Sequence, residues 1–437
     1  MESIWQKNVV RPTFKPLRGD ASTDVLIIGG GMAGVLCAYA LCRAGVDCLL
    51  VEADRIGSGV TQNTTAKLTV QHGLIYDEMI GRFGVEKARL YVKAQTAALD
   101  AYRRLCQDID CDFEEADSVV YSLDDRKRID REAKALKLLG CHALVEDHLP
   151  LPVSVAGAVR VKGQAQFHPL KFLYGVAEGL PIHELTEVTE MTSRGILTTR
   201  GRIRAKKVIV ATHFPMLNKH GSYFLKMYQQ RSYVLALENA SPVAETYVDG
   251  SGKGLSFREY NGWLLLGGGG HRTGKTGGGW RELSAFAARH YPHAREVARW
   301  ATQDCMTLDG MPYIGQYSAR TPDLYVATGF NKWGMTSSMV AAMLLCSLVQ
   351  GKTPTYAGMF SPSRSILRPQ LAVNAWESIG GLLTPTAPRC PHLGCALHYN
   401  KQEHTWDCAC HGSRFSGNGK RLDGPATGDM EIKRNIL

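Results

Sequence analysis

The chain has 437 residues, 44% of them apolar and 21% charged, and a net charge of +10. This composition excludes a disordered, collagenous or short disulfide-scaffold protein and predicts two or three domains. No apolar run reaches the roughly 18–20 residues that span a bilayer. The opening MESIWQKNVVRPTFKPLRGD lacks the apolar core of a signal peptide, so the chain is read as cytoplasmic, without a transmembrane segment. Its positive charge is dispersed and no nucleic-acid motif occurs, which favours anionic small ligands over nucleic acid.

In chain order, DVLII at 24–28 reads as a buried parallel strand and GGGMAG at 29–34 as a turn. VLCAYALCRAG at 35–45 then reads as a helix ending at Gly45, and CLLVEA at 48–53 as a second buried strand. Region 80–140 reads as helical and polar. KVIVAT at 207–212 is a second parallel strand of this kind, and 228–270 alternates as antiparallel strands. DLYVAT at 323–328 is a third, running into a helix from about 334 to 350. GGGG at 267–270 and GGG at 277–279 read as loops around a site, and the Ser-, Pro- and Gly-rich ends of 361–389 mark a join between domains.

Gly29, Gly31 and Gly34 form GxGxxG between a strand and a helix, with Met32 and Ala33 inside the motif. The first glycine permits the tight turn, the second lets backbone approach a pyrophosphate, and the third lets helix and strand pack closely. The helix N-terminus offers free N–H groups to phosphate. Glu52, followed by Ala53, ends the next strand where a carboxylate can accept from ribose hydroxyls. The unit predicts a bound dinucleotide.

Further on stand ATH at 211–213, DGMPYIG at 309–315 and ATGFNKWGMT at 327–336. With these pieces the chain resembles, over about residues 22–362, the FAD-dependent oxidoreductases of the glycine oxidase and D-amino-acid oxidase type. The resemblance implies an α/β fold: a Rossmann-like FAD-binding domain (about 22–80, 155–215 and 300–362) interleaved with an antiparallel-sheet substrate domain (about 81–154 and 216–299), after an N-terminal arm at 1–21. It implies FAD, with Ala211 and Thr212 near it and Val188 giving backbone to adenine. Gly329, Phe330, Asn331, Trp333, Gly334, Met335 and Thr336 would lie against the isoalloxazine. TQNTTAKLTVQH at 61–72 falls where such a chain passes the flavin, making Thr64, Thr65, Ala66 and Lys67 candidate neighbours.

Residues 390–415 read CPHLGCALHYNKQEHTWDCACHGSRF. Two Cys and two His fit a tetrahedral zinc. The pattern is more particular: Cys390-x-His392 is followed after 15 residues by Cys408-x-x-His411, each half in a glycine-containing loop. This resembles the Rieske [2Fe-2S] module, in which two Cys hold one iron and two His the other. The resemblance implies Cys390, His392, Cys408 and His411 as ligands and a disulfide between Cys395 and Cys410. Ser413 takes the place of a hydroxyl donor to the cluster, and Phe415 stands where high-potential members carry tyrosine. An intermediate potential follows, within the range of roughly −150 to +300 mV. The module is expected to be a small β-type cluster-binding subdomain at 385–437, joined by a linker at 363–384 and leaning on the flavoprotein.

IWQKN, TTAKLT, QAQFHPLKFLYG, TQDCMTLDGMPYIG and ATGFNKWGMT together resemble a bacterial family of FAD-dependent oxidoreductases with a C-terminal Rieske module. That implies oxidation of an amine or amino-acid-like substrate, with single electrons passed through the cluster to an external protein, quinone or oxygen. The alternative is an electron-transfer reductase serving a protein partner without a small amine substrate. Candidate catalytic and substrate-binding residues are Lys67, Arg231, Arg272 and Lys332, with Tyr233 and His271 beside the arginines. His168 reads either as a site residue or as the start of a helix before Pro169.

Overall fold

The computed structural model describes residues 2–217, 220–252, 254–385 and 388–431, so the last stretch of the expected Rieske subdomain, 432–437, lies outside the described residues. Among the described residues three sheets carry the architecture. The first has eight strands and is built on Ala21–Ile28, which pairs in parallel with Cys48–Val51 on one side and Gly201–Val210 on the other. Leu324–Thr328 continues the parallel order. Strands covered on both faces are apolar throughout, and Val25 to Ile28 are all buried. The helices Met32–Arg43 and Gly334–Val349 pack against each other over one face, with almost no polar side to either. The strand–turn–helix–strand reading of the first 53 residues therefore stands, as does the third strand running into its helix.

The second sheet has nine strands and is mainly antiparallel. Its long strand Met227–Glu238 lies between Trp263–Arg272 and Arg295–Thr307. The sheet recruits pieces from outside the expected substrate segments: Gly157–Gln166, the part of Arg295–Thr307 beyond residue 299, and the short Lys67–Leu68 all belong to it. The region read as helical holds the helices Tyr76–Phe83, Val85–Leu105 and Arg126–Leu138, but also the strand Glu114–Ser122. There Val119, Val120 and Tyr121 are buried and the strand pairs with Gly157–Gln166, a partner some 40 residues away that local periodicity does not reveal.

Leu397–Asn400, Thr405–Cys408, Arg414–Ser416 and Arg421–Asp423 make a four-stranded antiparallel sheet. The segment expected as a plain linker contains the helix Pro369–Leu383. The N-terminal arm is anchored by Trp5, which is fully buried, donates from Nε1 to the Thr64 carbonyl (2.7 Å) and lies 5.2 Å from the Arg258 guanidinium. Among the described residues no helix is long and apolar enough to cross a membrane.

Gly29 has φ +108°, and a β-carbon on it would lie 2.6 Å from the Ala211 carbonyl oxygen; one on Gly34 would lie 1.8 Å from the Gly29 carbonyl oxygen. Helix and turn backbones touch there, with no side chain able to yield. Gly34→Ala is accordingly expected to cost about 3 kcal/mol, the upper end for overpacking, with loss of bound flavin. Thermal denaturation and the flavin absorbance of the purified variant measure both.

Candidate functional site

Two cavities share a border. One, of about 950 Å³, is lined by Gly29, Gly31, Met32, Ala33, Glu52 and Ala53, by Val188, and by Ala211 and Thr212. The helix Met32–Arg43 starts at this wall with Gly31 as its N-cap and no side chain capping it, so its N–H groups and positive end face the space. Here a β-carbon on Gly31 would meet only Thr61 Oγ1, at 3.5 Å, leaving room for a close ligand. The Glu52 carboxylate accepts from the Gly30 (2.6 Å) and Asp54 (2.9 Å) N–H groups, and burial raises its pKa. The groove fits the pyrophosphate and ribose of FAD on these observations.

The second cavity, of about 860 Å³, is lined by Thr64, Thr65, Lys67, His72, Asp304, Asn331, Lys332 and Trp333. The two meet at Val60, His213, Thr302, Phe330, Gly334 and Met335. Gly329 lines the first cavity, so the turn before the helix Gly334–Val349 reaches both. Asn331 and Lys332 hold left-handed backbone there, with φ of +52° and +73°. Asn331 fixes the turn: its Oδ1 accepts from Thr307 N (2.8 Å) and its Nδ2 donates to the Gly329 carbonyl (2.6 Å). His72 stacks on Trp333 (5.1 Å, 11°), contacts Tyr91 Oη (2.6 Å) through Nδ1 and is driven by burial to a pKa of about 3. It is a neutral structural imidazole.

Two expected flavin neighbours do not line either cavity: Ala66 is fully buried, and Thr336 is turned inward, its Oγ1 bonded to His72 Nε2 (3.0 Å) and the Thr69 carbonyl (3.2 Å). Gly34, likewise outside both cavities, serves the helix–turn packing expected of the third glycine. His168 starts a helix, its Nδ1 accepting from Lys171 N (3.2 Å). Lys67 Nζ donates to Thr65 Oγ1 (3.1 Å); burial, and then the charge of Arg258, push its pKa down to about 7. Arg258, which sequence reasoning missed, is fully buried and donates to the carbonyls of Thr65, Ala66 (2.9 Å) and Phe167 (3.1 Å), clamping the TTAK loop.

Cys390, His392, Cys408 and His411 converge from two loops of the same design. Gly394 N donates to the Cys390 carbonyl and Gly412 N to the Cys408 carbonyl, both at 2.9 Å, each glycine at positive φ. The His392 and His411 rings lie 5.0 Å apart at 86°. Burial lowers their pKa values to about 4 and about 3, keeping both imidazoles neutral as metal ligation requires. Among the described residues His411 Nδ1, which is buried, has no hydrogen-bond partner and is an open ligand position. This donor set fits a Rieske cluster. Cys395 and Cys410 are free cysteines, not joined as a disulfide; their sulphurs lie within 4.8 Å of each other and of Cys408 Sγ. Ser413 Oγ accepts from Ala426 N (3.0 Å).

The cluster loop is held on the antiparallel sheet of the larger part of the chain. Four consecutive carbonyls accept from three side chains: Ala409 (2.9 Å) and Cys410 (3.1 Å) from Arg272, His411 (2.8 Å) from Gln229, and Gly412 (2.9 Å) from Gln303. Arg231 makes a two-pronged pair with Glu403, its Nε at 2.9 Å from Oε1. Arg414 reaches the same carboxylate at 2.7 Å, and Tyr233 donates to it at 3.0 Å. Both arginines expected as carboxylate anchors are thus engaged by the C-terminal part of the chain, because their partners come from more than 100 residues downstream. Tyr233 is buried in this same junction, with His271 Nε2 at 2.9 Å from its hydroxyl. Gln303 also lines the larger cavity, together with Glu403, Arg414 and the segment 423–427, so the two sites share a wall. Gln303 lies in TQDC, a stretch singled out in the sequence without a role for that residue.

Burial alone would raise the Glu403 carboxyl, but Arg231 and Arg414 hold it below its ordinary range. Glu403→Gln leaves two buried guanidiniums short of charge. It should destabilise the docked module by about 3–5 kcal/mol, read as protease cleavage within 361–389 that the wild-type holoenzyme resists.

Comparison with known proteins agrees with this geometry. The family model "FAD dependent oxidoreductase" (DAO) matches residues 24–348 and the "Rieske [2Fe-2S] domain" model matches residues 363–433. The Rieske 2Fe-2S iron-sulfur protein YhfW of Bacillus subtilis strain 168 is 34% identical over 97% of this chain and 96% of its own length. Gamma-glutamylputrescine oxidoreductase of Escherichia coli K12 is 24% identical over 77% of this chain and 86% of its own. The crystal structure of glycine oxidase from Geobacillus kaustophilus shares the fold, with a TM-score of 0.66 at 21% identity over 79% of this chain and 99% of that one. The chain belongs to the FAD dependent oxidoreductase family and carries a C-terminal Rieske [2Fe-2S] domain.

Proposed function

We propose that this chain oxidises an amine or amino-acid-like substrate in the smaller cavity and passes the electrons singly through its Rieske cluster to an external acceptor. The observation that carries the reading is Gln303, which lines the FAD cavity and donates to the carbonyl beside the ligand His411. When bound, FAD supplies a two-electron hydride acceptor and the cluster a one-electron relay.

The chain's own residues supply positioning and proton handling. A cavity of about 860 Å³ next to the flavin groove suits a small substrate and speaks against a carrier that meets only proteins. Asp304 and Lys332 line it with opposite charges; burial raises the Asp304 pKa, countered by Lys332, His213 and Arg231. They offer one partner each to an ammonium and a carboxylate. Lys67 Nζ, neutral above about pH 7, takes the proton from the substrate ammonium and keeps the amine lone pair free as hydride leaves. The larger part of the chain is related to an oxidoreductase named for an amine, gamma-glutamylputrescine, which supports the same substrate class.

Anaerobic titration of the holoenzyme with candidate amines and amino acids tests the reading. Substrate should bleach the flavin and then raise the reduced-cluster signal in electron paramagnetic resonance. Reduction only by a protein or nicotinamide donor would refute it. Gln303→Leu leaves the Gly412 carbonyl unpaired; cluster reduction should slow on the order of tenfold, one buried hydrogen bond's worth, while flavin bleaching keeps its rate. Below about pH 7 Lys67 is charged and cannot accept the proton. The bleaching rate should therefore rise with pH through that value, and Lys67→Met should lose this step in the stopped-flow profile.

A further inference from the structure

The helix Pro369–Leu383 is built inside out. Its polar residues face the molecule: Asn374 is buried and its Oδ1 accepts from Arg272 Nη1 (3.0 Å), and Glu377 pairs with Lys275 (2.7 Å). Facing out are Ala372, Val373, Trp376, Ile379, Gly380 and Leu383, all exposed, at the spacing of one helical face. Trp376 is 75% and Leu383 77% exposed, and Leu367, at 80%, extends the face at its leading end. On the cluster side Leu393, an exposed residue of the loop between Cys390 and Cys395, widens it further. Contiguous apolar surface of this kind marks a contact site.

The charges around the face identify its occupant. Segment 361–396 contains three arginines and one carboxylate, and that carboxylate, Glu377, is turned inward and neutralised by Lys275. Arg364 is held by Asp309, whose pKa Arg368 also helps to lower from its place over the Phe83 ring, while Arg389 has no ion-pair partner among the described residues. Arg389 closes the end of the helix, donating to the carbonyls of Gly381 (3.1 Å) and Leu382 (3.3 Å). An apolar strip with an exposed indole, bordered by the exposed Arg389 and almost free of carboxylates on a chain of net charge +10, matches a surface that is apolar below and anionic above. We propose that the outer face of this helix, together with Leu393, seats on an anionic phospholipid bilayer. The seat lies over the cluster: Gly381 packs so closely on the cysteine pair that a β-carbon there would lie 2.7 Å from Cys410 Sγ. Gln370, at the other end of the helix, borders the smaller cavity.

Flotation of the holoenzyme with vesicles of phosphatidylglycerol and phosphatidylcholine tests this. Wild-type protein should float at low salt and be released as salt rises, and pure phosphatidylcholine should hold little of it. The double variant W376E/I379E alters only exposed side chains; it should keep its flavin and cluster spectra and bind about tenfold less. Failure of the wild type to float overturns the proposal, as does equal binding by the variant or equal binding to neutral vesicles. A solution dimer that the same substitutions dissociate, without vesicle binding, would assign the face to a second copy instead.

Discussion

The structure depends on four consecutive backbone carbonyls, Ala409 to Gly412, being held by Arg272, Gln229 and Gln303. A small sheet with two loops has too little apolar interior to fix itself in space. Here its cluster loop borrows rigidity from three strands of the antiparallel sheet, whose side chains project at fixed intervals. The approach is close enough that a β-carbon on Gly274 would lie 2.4 Å from Ala409 N, and one on Gly412 would lie 2.6 Å from the Gln229 side chain. Distance between the two redox sites is thereby set by buried side chains and backbone packed in direct contact.

Beside this backbone contact lies a buried charge cluster: Arg231 and Arg414 against Glu403 and Asp407. Such a group gives little net stability, because each ion loses its water. Its effect is on registry. A shift of the small sheet against the strand Met227–Glu238 would part Arg231 from Glu403 and leave a buried charge without its partner. Tyr233 and Asn400, both bonded to Glu403, complete the lone pairs that the arginines leave open.

What the sequence disclosed follows from the range of each interaction. GxGxxG and the paired Cys-His loops are local devices, fixed by turn geometry within a few residues, and they were legible. Arg231 and Arg272 were legible as important but not in their role, since a guanidinium carries no mark of which carboxylate or carbonyl will reach it. Arg258 gave no signal at all; it acts on three carbonyls of segments 91 to 193 residues away. The helix Pro369–Leu383 hid inside an expected linker because its Pro- and Gly-containing ends resemble a join, and its apolar stripe points away from the body of the protein. The strand Glu114–Ser122 hid between helices because its pairing, not its composition, makes it a strand.

The wall shared by Gln303 with Glu403, Arg414 and residues 423–427 has a consequence for biogenesis. Synthesis runs from the N-terminus, so the nucleotide groove emerges from the ribosome well before the segment that encloses its far side. The chamber therefore stays open on that side until residues 423–427 have been made and have folded. Folding of the small C-terminal sheet is thus what completes the groove.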